Sequence, residues 1–224
     1  MVHPAFMTTT GAPRSIYLPR AFEAPDLADL HDLIDAHSFG MLIAPGEDGV
    51  PMIAHLPFLL ERDSGPHGTL LAHVARANPI RRALDGSTPI LAVFRGPHGY
   101  ISPGWYASRD DVPTWNYAVV HAHGAPRAIE DHDALLALLA RLSDVNERGQ
   151  PEPWSLAELS PEKRSALLPA IVGFSMEITR IEAKLKLSQN RRPEDRDGAI
   201  AGLRARGTPD DRALAEVMER ARPR

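Results

Sequence analysis

The feature that most constrains this chain is a run of short apolar segments, each closed by a proline- or glycine-rich turn, between Phe39 and Ile129. Phe39 to Ala44 is apolar and stops at Pro45-Gly46-Glu47-Asp48-Gly49. Proline presets φ and glycine accepts backbone that other residues avoid, so this is a turn with a mechanism. Val50 to Glu61 resumes as a strand, and the pair reads as a hairpin. Asp63 to Gly68 turns again, Thr69 to Ala75 is a third strand, and Asn78-Pro79 opens a short helix through Leu84. Pro89 to Arg95 is a fourth strand, turned by Pro97-His98-Gly99. Tyr100 to Val112 is irregular and aromatic, and Pro113 to Ile129 is a long strand or bent strand pair with Gly124 as its bulge or kink.

Helices flank this run. Asp26 to His37 carries Leu27, Leu30, Leu33 and Ile34 at helical spacing behind an Asp26 N-cap. Asp131 to Arg148 lines Leu135, Leu138, Leu139 and Leu142 along one face, and Ser160 to Leu168 has Pro161 at the favoured first position. Val172 to Leu187 reads as a last long strand with one slip in its alternation. Two charged helices separated by Gly207 to Pro209 form a tail. Helix, antiparallel strands, helix pair, strand and helices make an α+β chain with a meandering barrel, not a βαβ repeat. The expected organisation is a flexible leader over 1–15, one barrel domain over 16–192 and a helical tail over 193–224.

Composition narrows the function classes. A chain of 224 residues, 43% of them hydrophobic, can bury a real core. Its formal net charge of -4 lacks the basic footprint of a dedicated DNA-binding domain. With no cysteine there is no disulfide, thiolate metal site or cysteine nucleophile. No stretch approaches the roughly 20 apolar residues of a membrane span, and Met1 to Ser15 lacks a signal-peptide core, so the expected location is the cytoplasm.

Four polar-aromatic stretches exceed what core packing asks for. In His73-Val74-Ala75-Arg76-Ala77-Asn78-Pro79 a strand runs into a helix start, a setting that suits a phosphate or equally an Asn cap before proline. Tyr100-Ile101-Ser102-Pro103-Gly104-Trp105-Tyr106 can cover a planar ligand or plug a barrel end. Pro113-Thr114-Trp115-Asn116-Tyr117 puts two aromatics on one strand face and Asn116 on the other, as an isoalloxazine ring or an aromatic barrel wall would use. In Lys184-Leu185-Lys186-Leu187-Ser188-Gln189-Asn190 the alternation places Lys184, Lys186 and Ser188 together, for a phosphate or as a solvated strand edge. His121 and His123 share a face, but no third ligand sits at motif spacing, and no metal is expected. There is no P-loop, G-x-G-x-x-G or G-x-S-x-G.

Taken together these stretches resemble one family, the PaiB-type FMN-binding negative transcriptional regulators. The matching segments are IYLPRAFEAPD from Ile16, AHLPF from Ala54, GTLLAHVARANP from Gly68, AVFRGPHGYISPGWY from Ala92, VPTWNYAVVHAHG from Val112 and KLKLSQNR from Lys184. The resemblance implies a split β-barrel with flanking helices, like that of the pyridoxine-phosphate-oxidase-like flavoproteins, working as a homodimer with FMN at the subunit interface. It carries over His73, Arg76, Asn78, Ser102, Trp105, Tyr106, Thr114, Trp115, Asn116, Lys186, Ser188, Gln189 and Asn190 as FMN-binding residues. One departure is visible: Leu185 stands where the family pattern K-W-K-L-S-Q-N has tryptophan.

The resemblance implies an FMN-binding repressor. Direct DNA contact has weak support: no helix-turn-helix pattern is present, and acids interleave with the tail arginines. The alternative is an FMN-dependent oxidoreductase, a flavin reductase or oxidase acting on a small molecule. Haem is a third, lower-ranked ligand, suggested by the chain's 10 histidines.

Overall fold

A computed structural model describes residues 15–24 and 26–221. The expected leader, residues 1–15, lies outside them except for Ser15. The chain forms α1 (Leu27–Ala36), β1 (Phe39–Ala44), β2 (Met52–Pro57), β3 (Leu59–Glu61), β4 (Thr69–Ala75), β5 (Ile90–Ile101), β6 (Thr114–Gly124) and β7 (Arg127–Ala128). It continues through α2 (His132–Asn146), α3 (Pro161–Leu167), β8 (Ile171–Glu177), β9 (Arg180–Lys186), α4 (Pro193–Arg206) and α5 (Pro209–Arg220). The strands build two antiparallel sheets, in the orders β2-β1-β5-β6-β9 and β3-β4-β8-β7. The two sheets wrap one core as a split barrel.

Two segments that read as single strands, and the stretch that reads as a long strand or bent strand pair, each divide in two, because each crosses from one sheet to the other. The chain passes from β2 to β3 at Phe58, from β6 to β7 after Gly124, and from β8 to β9 at Ile178-Thr179. A Cβ on Gly124 would stand 2.3 Å from the Glu177 carbonyl oxygen, so only glycine permits that crossing. The slip in alternation near Ile178 is the third crossing. β5 is longer than expected. It runs on from Arg95 to Ile101 through a register shift between Arg95 and His98. Pro97, which has no N–H to donate, falls inside that shift, where the ladder asks for none. The helix expected after Asn78 is a 3-10 turn, Pro79–Ala83.

The core lies between the sheets. Phe94 and Phe174 meet Phe58 edge-on, with centroids 5.2 and 6.3 Å away, among Leu42, Leu70, Met176 and Ile178. Each such side chain contributes about 1.5–3 kcal/mol on burial. α1 closes one side with Leu30 and Ile34, and Asp26 makes no side-chain cap bond. α2 lays Leu135, Leu138 and Leu142 over Leu59, Leu71 and Leu168, and Asp131 caps it by accepting from the Ala134 N–H at 2.7 Å.

The tail packs on its own barrel. Ile200 and Leu203 of α4 and Leu214 and Met218 of α5 cluster with Ile101, Tyr106 and Leu187. Gly207, at φ +70°, ends α4, and Thr208 with Asp211 forms a capping box on α5. Among the described residues no helix is long and apolar enough to cross a membrane.

Candidate functional site

The last motif meets the aromatic strand where β9 pairs with β6. Tyr117 stands opposite Lys186 and Val119 opposite Lys184. The buried Lys184 ammonium donates to the Tyr17 carbonyl at 2.9 Å and lies 5.2 and 5.6 Å from the Tyr17 and Tyr117 ring centres. Lys186 donates to the Thr114 hydroxyl. Burial pushes the Lys186 amine down, and the charges of Lys184 and Arg191 push it the same way. An anion placed here would favour the charged amine and so oppose these effects.

Beyond β9 the chain makes a strained turn. Ser188 sits at φ +63°, the one positive φ outside glycine among the described residues. Such backbone costs on the order of 1 kcal/mol and needs support. Gln189 supplies it: its Oε1 accepts from the Leu187 N–H at 2.7 Å and its Nε2 donates to the Leu185 carbonyl at 2.5 Å. The buried Asn116 amide adds to it, donating to the Ser188 hydroxyl at 2.9 Å and contacting Met218 Sδ at 3.5 Å. The other end of that amide, Asn116 Oδ1, is buried with no partner in the structure. A polar atom left so is costly unless a ligand or water meets it.

The Ser102–Tyr106 stretch is wedged beside this turn. Ser102 accepts from the Gly104 N–H at 3.1 Å and opens a 3-10 turn, Pro103–Trp105. Trp105 lies flat on α4 because Gly198 and Gly202 leave room for it; a Cβ on Gly202 would stand 2.2 Å from the indole. The Arg206 guanidinium covers the other side at 5.2 Å and pairs with Asp211, holding that carboxyl down to about 2. Tyr106 is buried with its hydroxyl unpartnered, which pushes the phenol up. Arg191 stacks 5.2 Å from its ring and pairs with Asp111. Asn190 lines a small cavity of ≈ 190 Å³ with Tyr106 and Arg191. Trp115 instead faces outward, stacked on His98 at 5.9 Å.

The structure thus brings Thr114, Asn116, Lys186, Ser188 and Gln189 together, with Ser102, Trp105, Tyr106 and Asn190 beside them. His73, Arg76 and Asn78 stand apart, at the end of β4 in the smaller sheet. Arg76 donates to the carbonyls of Pro169 at 2.6 Å and Ile171 at 3.0 Å, stapling β4 to the start of β8. Asn78 accepts from the Ile80 N–H at 3.0 Å, so the first free donor of the 3-10 turn is already used. His73 Nδ1 is buried without a partner, and burial lowers its pKa. Sequence reasoning left out Met218 and Arg206, for which no local signal exists, and did not carry over Lys184, which the Lys-Leu-Lys alternation marks.

The far end of the same strand pair holds a second polar group. Ser15 Oγ lies 2.8 Å from His121 Nδ1, 3.0 Å from His123 Nε2 and 2.7 Å from Glu182 Oε2. Arg180 reaches Glu182 at 3.3 Å and His123 at 3.1 Å. Among the described residues no group of three or more His, Asp or Glu side chains has metal-binding geometry.

The two antiparallel sheets around one core place the chain in the split-barrel class of folds. The chain belongs to the PaiB-type FMN-binding family: the profile described as "Putative FMN-binding domain" matches residues 16–180. It is 34% identical over 204 residues to "Protease synthase and sporulation protein PAI 2" of Bacillus subtilis, covering 91% of this chain and 97% of that one. Among solved structures it is similar in fold to an FAD and haem binding protein from Mycobacterium smegmatis, with TM-score 0.55, 23% identity and coverage of 80% and 79% of the two chains. It is likewise similar to the flavocytochrome Anf3 from Azotobacter vinelandii, with TM-score 0.57, 17% identity and coverage of 75% and 72%. The cofactor is FMN.

Proposed function

We propose that FMN lies along the lysine face of β6 and β9, its phosphate toward Lys186, with Asn116 on the inner face holding the Ser188-Gln189 turn behind it. The observation that supports this is the pair of cations, Lys184 and Lys186, on one face of β9 opposite Val119 and Tyr117. Thr114, Ser102 and Asn190 stand within the same neighbourhood, and Trp105 and Tyr106 wall it. Bound FMN supplies one- and two-electron chemistry. The protein's part is to hold the ring and exclude water from it. Absorbance of purified protein with added FMN tests the site: flavin bands that travel with the wild type and weaken in Lys186→Ala support it, and equal retention by both overturns it.

The protein works as a cytoplasmic homodimer formed through the outer face of the larger sheet. Register places Met41, Ile43, Ile53, Leu91, Val93 and Val119 on that face, with Phe39 at its edge. Phe39 is 69% exposed and Ile53 53%. These apolar side chains share the face with His55, Arg95, His121 and His123, the mixed make-up of a subunit interface. Sedimentation of Phe39→Glu/Ile53→Glu checks this; a dimer unchanged by both charges overturns it.

The function that follows is a PaiB-type negative regulator of transcription that reads flavin. Two of the tail arginines already have acid partners, Arg204 with Glu219 at 2.7 Å and Arg206 with Asp211, which lessens the charge the tail offers to DNA. The same pairing favours a second reading, an FMN oxidoreductase on a small molecule. Anaerobic NADH or NADPH separates the two: bleaching of the bound flavin supports the enzyme, and no bleaching with retardation of genomic DNA at low salt supports the regulator.

A further inference from the structure

The larger sheet turns one continuous face outward, and three histidines interrupt the apolar part of it. Strand register sets His55 of β2 opposite Met41, and His121 and His123 of β6 opposite Val93 and Leu91. Arg95 of β5, opposite Val119, is a fixed charge among them. His55 is exposed, and its ring stacks on Phe39 with centroids 6.4 Å apart. A fourth ring, His98, lies at the far end of the face, stacked on Trp115 and 3.9 Å from Asp210. Histidine is the side chain that changes charge between about pH 5 and 8. Three of them spread over an otherwise apolar surface make its charge a function of pH.

The bonds at the two β6 rings fit neutral tautomers. The Ser15 hydroxyl donates to Glu182 Oε2 at 2.7 Å, so its lone pairs accept from His121 Nδ1 at 2.8 Å and His123 Nε2 at 3.0 Å. His123 Nδ1 accepts from the Arg180 guanidinium at 3.1 Å. A second proton on His123 would set an N–H against that guanidinium. A second proton on His121 would go to Nε2, which has no partner among the described residues. Burial and then the charges of His123 and Arg180 disfavour a charged His121; burial and Arg180 disfavour a charged His123; Glu182, itself 3.3 Å from Arg180, partly opposes both. Among the elements packed against β2, β1 has no titratable residue, β4 brings His73, and the 3-10 turn Pro79–Ala83 brings Arg81 and Arg82. We propose that this face is a pH-gated contact between two copies of the chain, closed while the three histidines are neutral and opened when they charge. The gate rests on the homodimer reading and sets the condition under which that dimer holds. Two-fold symmetry repeats each ring on the second copy, and a charge taken out of water without a partner is costly, so protons and the second copy compete for the face.

The experiment is sedimentation velocity of the full chain with FMN, at about pH 8 and about pH 5.5. The dimer dissociation constant is expected to rise at least about tenfold at the lower pH, since each linked proton contributes up to about tenfold per pH unit. In His55→Gln/His121→Gln/His123→Gln it should stay within about twofold. Acid release of FMN cannot imitate this, because it would act on the variant equally. His55→Lys supplies a charge without acid. At about pH 8 it should weaken the dimer about tenfold, and it serves if the triple variant fails to fold. A dimer equally tight at both pH values overturns the gate and leaves the homodimer standing. A chain that is monomeric at the higher pH sinks the homodimer itself, and the gate with it. An acid response undiminished in the triple variant, or a His55→Lys dimer as tight as the wild type, also overturns the gate.

Discussion

The two ends of the β6–β9 strand pair are both polar, yet they are finished differently. At the His123 end every group has met another: Ser15, His121, His123, Glu182 and Arg180 close on themselves at 2.7 to 3.3 Å. At the Thr114 end the bonds stop short. Asn116 spends its NH2 on Ser188 and Met218 and leaves its oxygen buried and bare, and the Tyr106 hydroxyl beside the turn is bare too. A closed polar cluster holds a fold together, whereas an open one in the same strand pair marks where a ligand belongs. The difference between the ends is a difference in satisfaction, not in polarity.

The largest effect expected from breaking this contrast is on stability at the closed end. Glu182→Ala removes the acceptor shared by Ser15, His123 and Arg180. Losing one partner of a buried ion pair costs about 3–5 kcal/mol, and a partly exposed Arg180 reduces this to about 2–3 kcal/mol. Urea unfolding measures it, and FMN affinity should stay within about 0.5 kcal/mol of wild type. A large loss of FMN binding would mean that the closed cluster belongs to the site.

Next comes Lys186→Ala at the open end. It removes a cation that burial and two neighbouring charges already disfavour, so apo stability should hardly fall. FMN affinity should drop by about 1.5–3 kcal/mol, roughly ten- to a hundred-fold, read by flavin fluorescence titration. An unchanged dissociation constant would reduce Lys186 to a strand-edge charge. Asn116→Leu is smaller: about 1 kcal/mol of FMN affinity is lost. Apo stability changes by less, because the bare oxygen leaves along with the bond to Ser188. If the apo protein loses more than the complex, the amide is a structural group.

The sequence made part of this contrast readable. Hairpins and helices announced themselves, because turn residues and apolar periods are local properties. The crossings between sheets did not. β8 passes to β9 through Ile178-Thr179, ordinary strand residues, and only the steric demand at Gly124 explains why β6 ends where it does. The tail read as two charged helices, yet Asp195, Arg196 and Asp211 are buried. Their charges are met inside: Asp195 accepts from the Ala107 N–H at 2.9 Å and Arg196 donates to the Met218 carbonyl. Composition cannot show that pairing. The contact between Asn116 and Ser188, 72 residues apart, was reachable only through the family resemblance. Nothing local in either segment says that one amide end stays open.

The smallest effect sharpens the comparison through pH. Burial, more than any neighbour, lowers the pKa of His121 and of His123 below 6.5. Around them stand Ser15, Glu182 and Arg180; Arg180 pushes both rings further down, and Glu182 partly opposes it. A ring whose folded pKa is depressed binds fewer protons folded than unfolded. Its stabilising contribution is therefore present above about 6.5 and fades as the pH falls through the folded values. Thermal melts should show Tm declining gently between pH 7 and 5. His121→Asn/His123→Asn should flatten that slope while leaving the FMN dissociation constant at pH 7 unchanged. The open end answers to a different group: the flavin phosphate takes up its second proton near about pH 6, so FMN affinity should weaken through that step in the wild type and the double variant alike. If affinity and Tm fell together with one midpoint, and the double variant removed both, the two ends of the strand pair would be one coupled site.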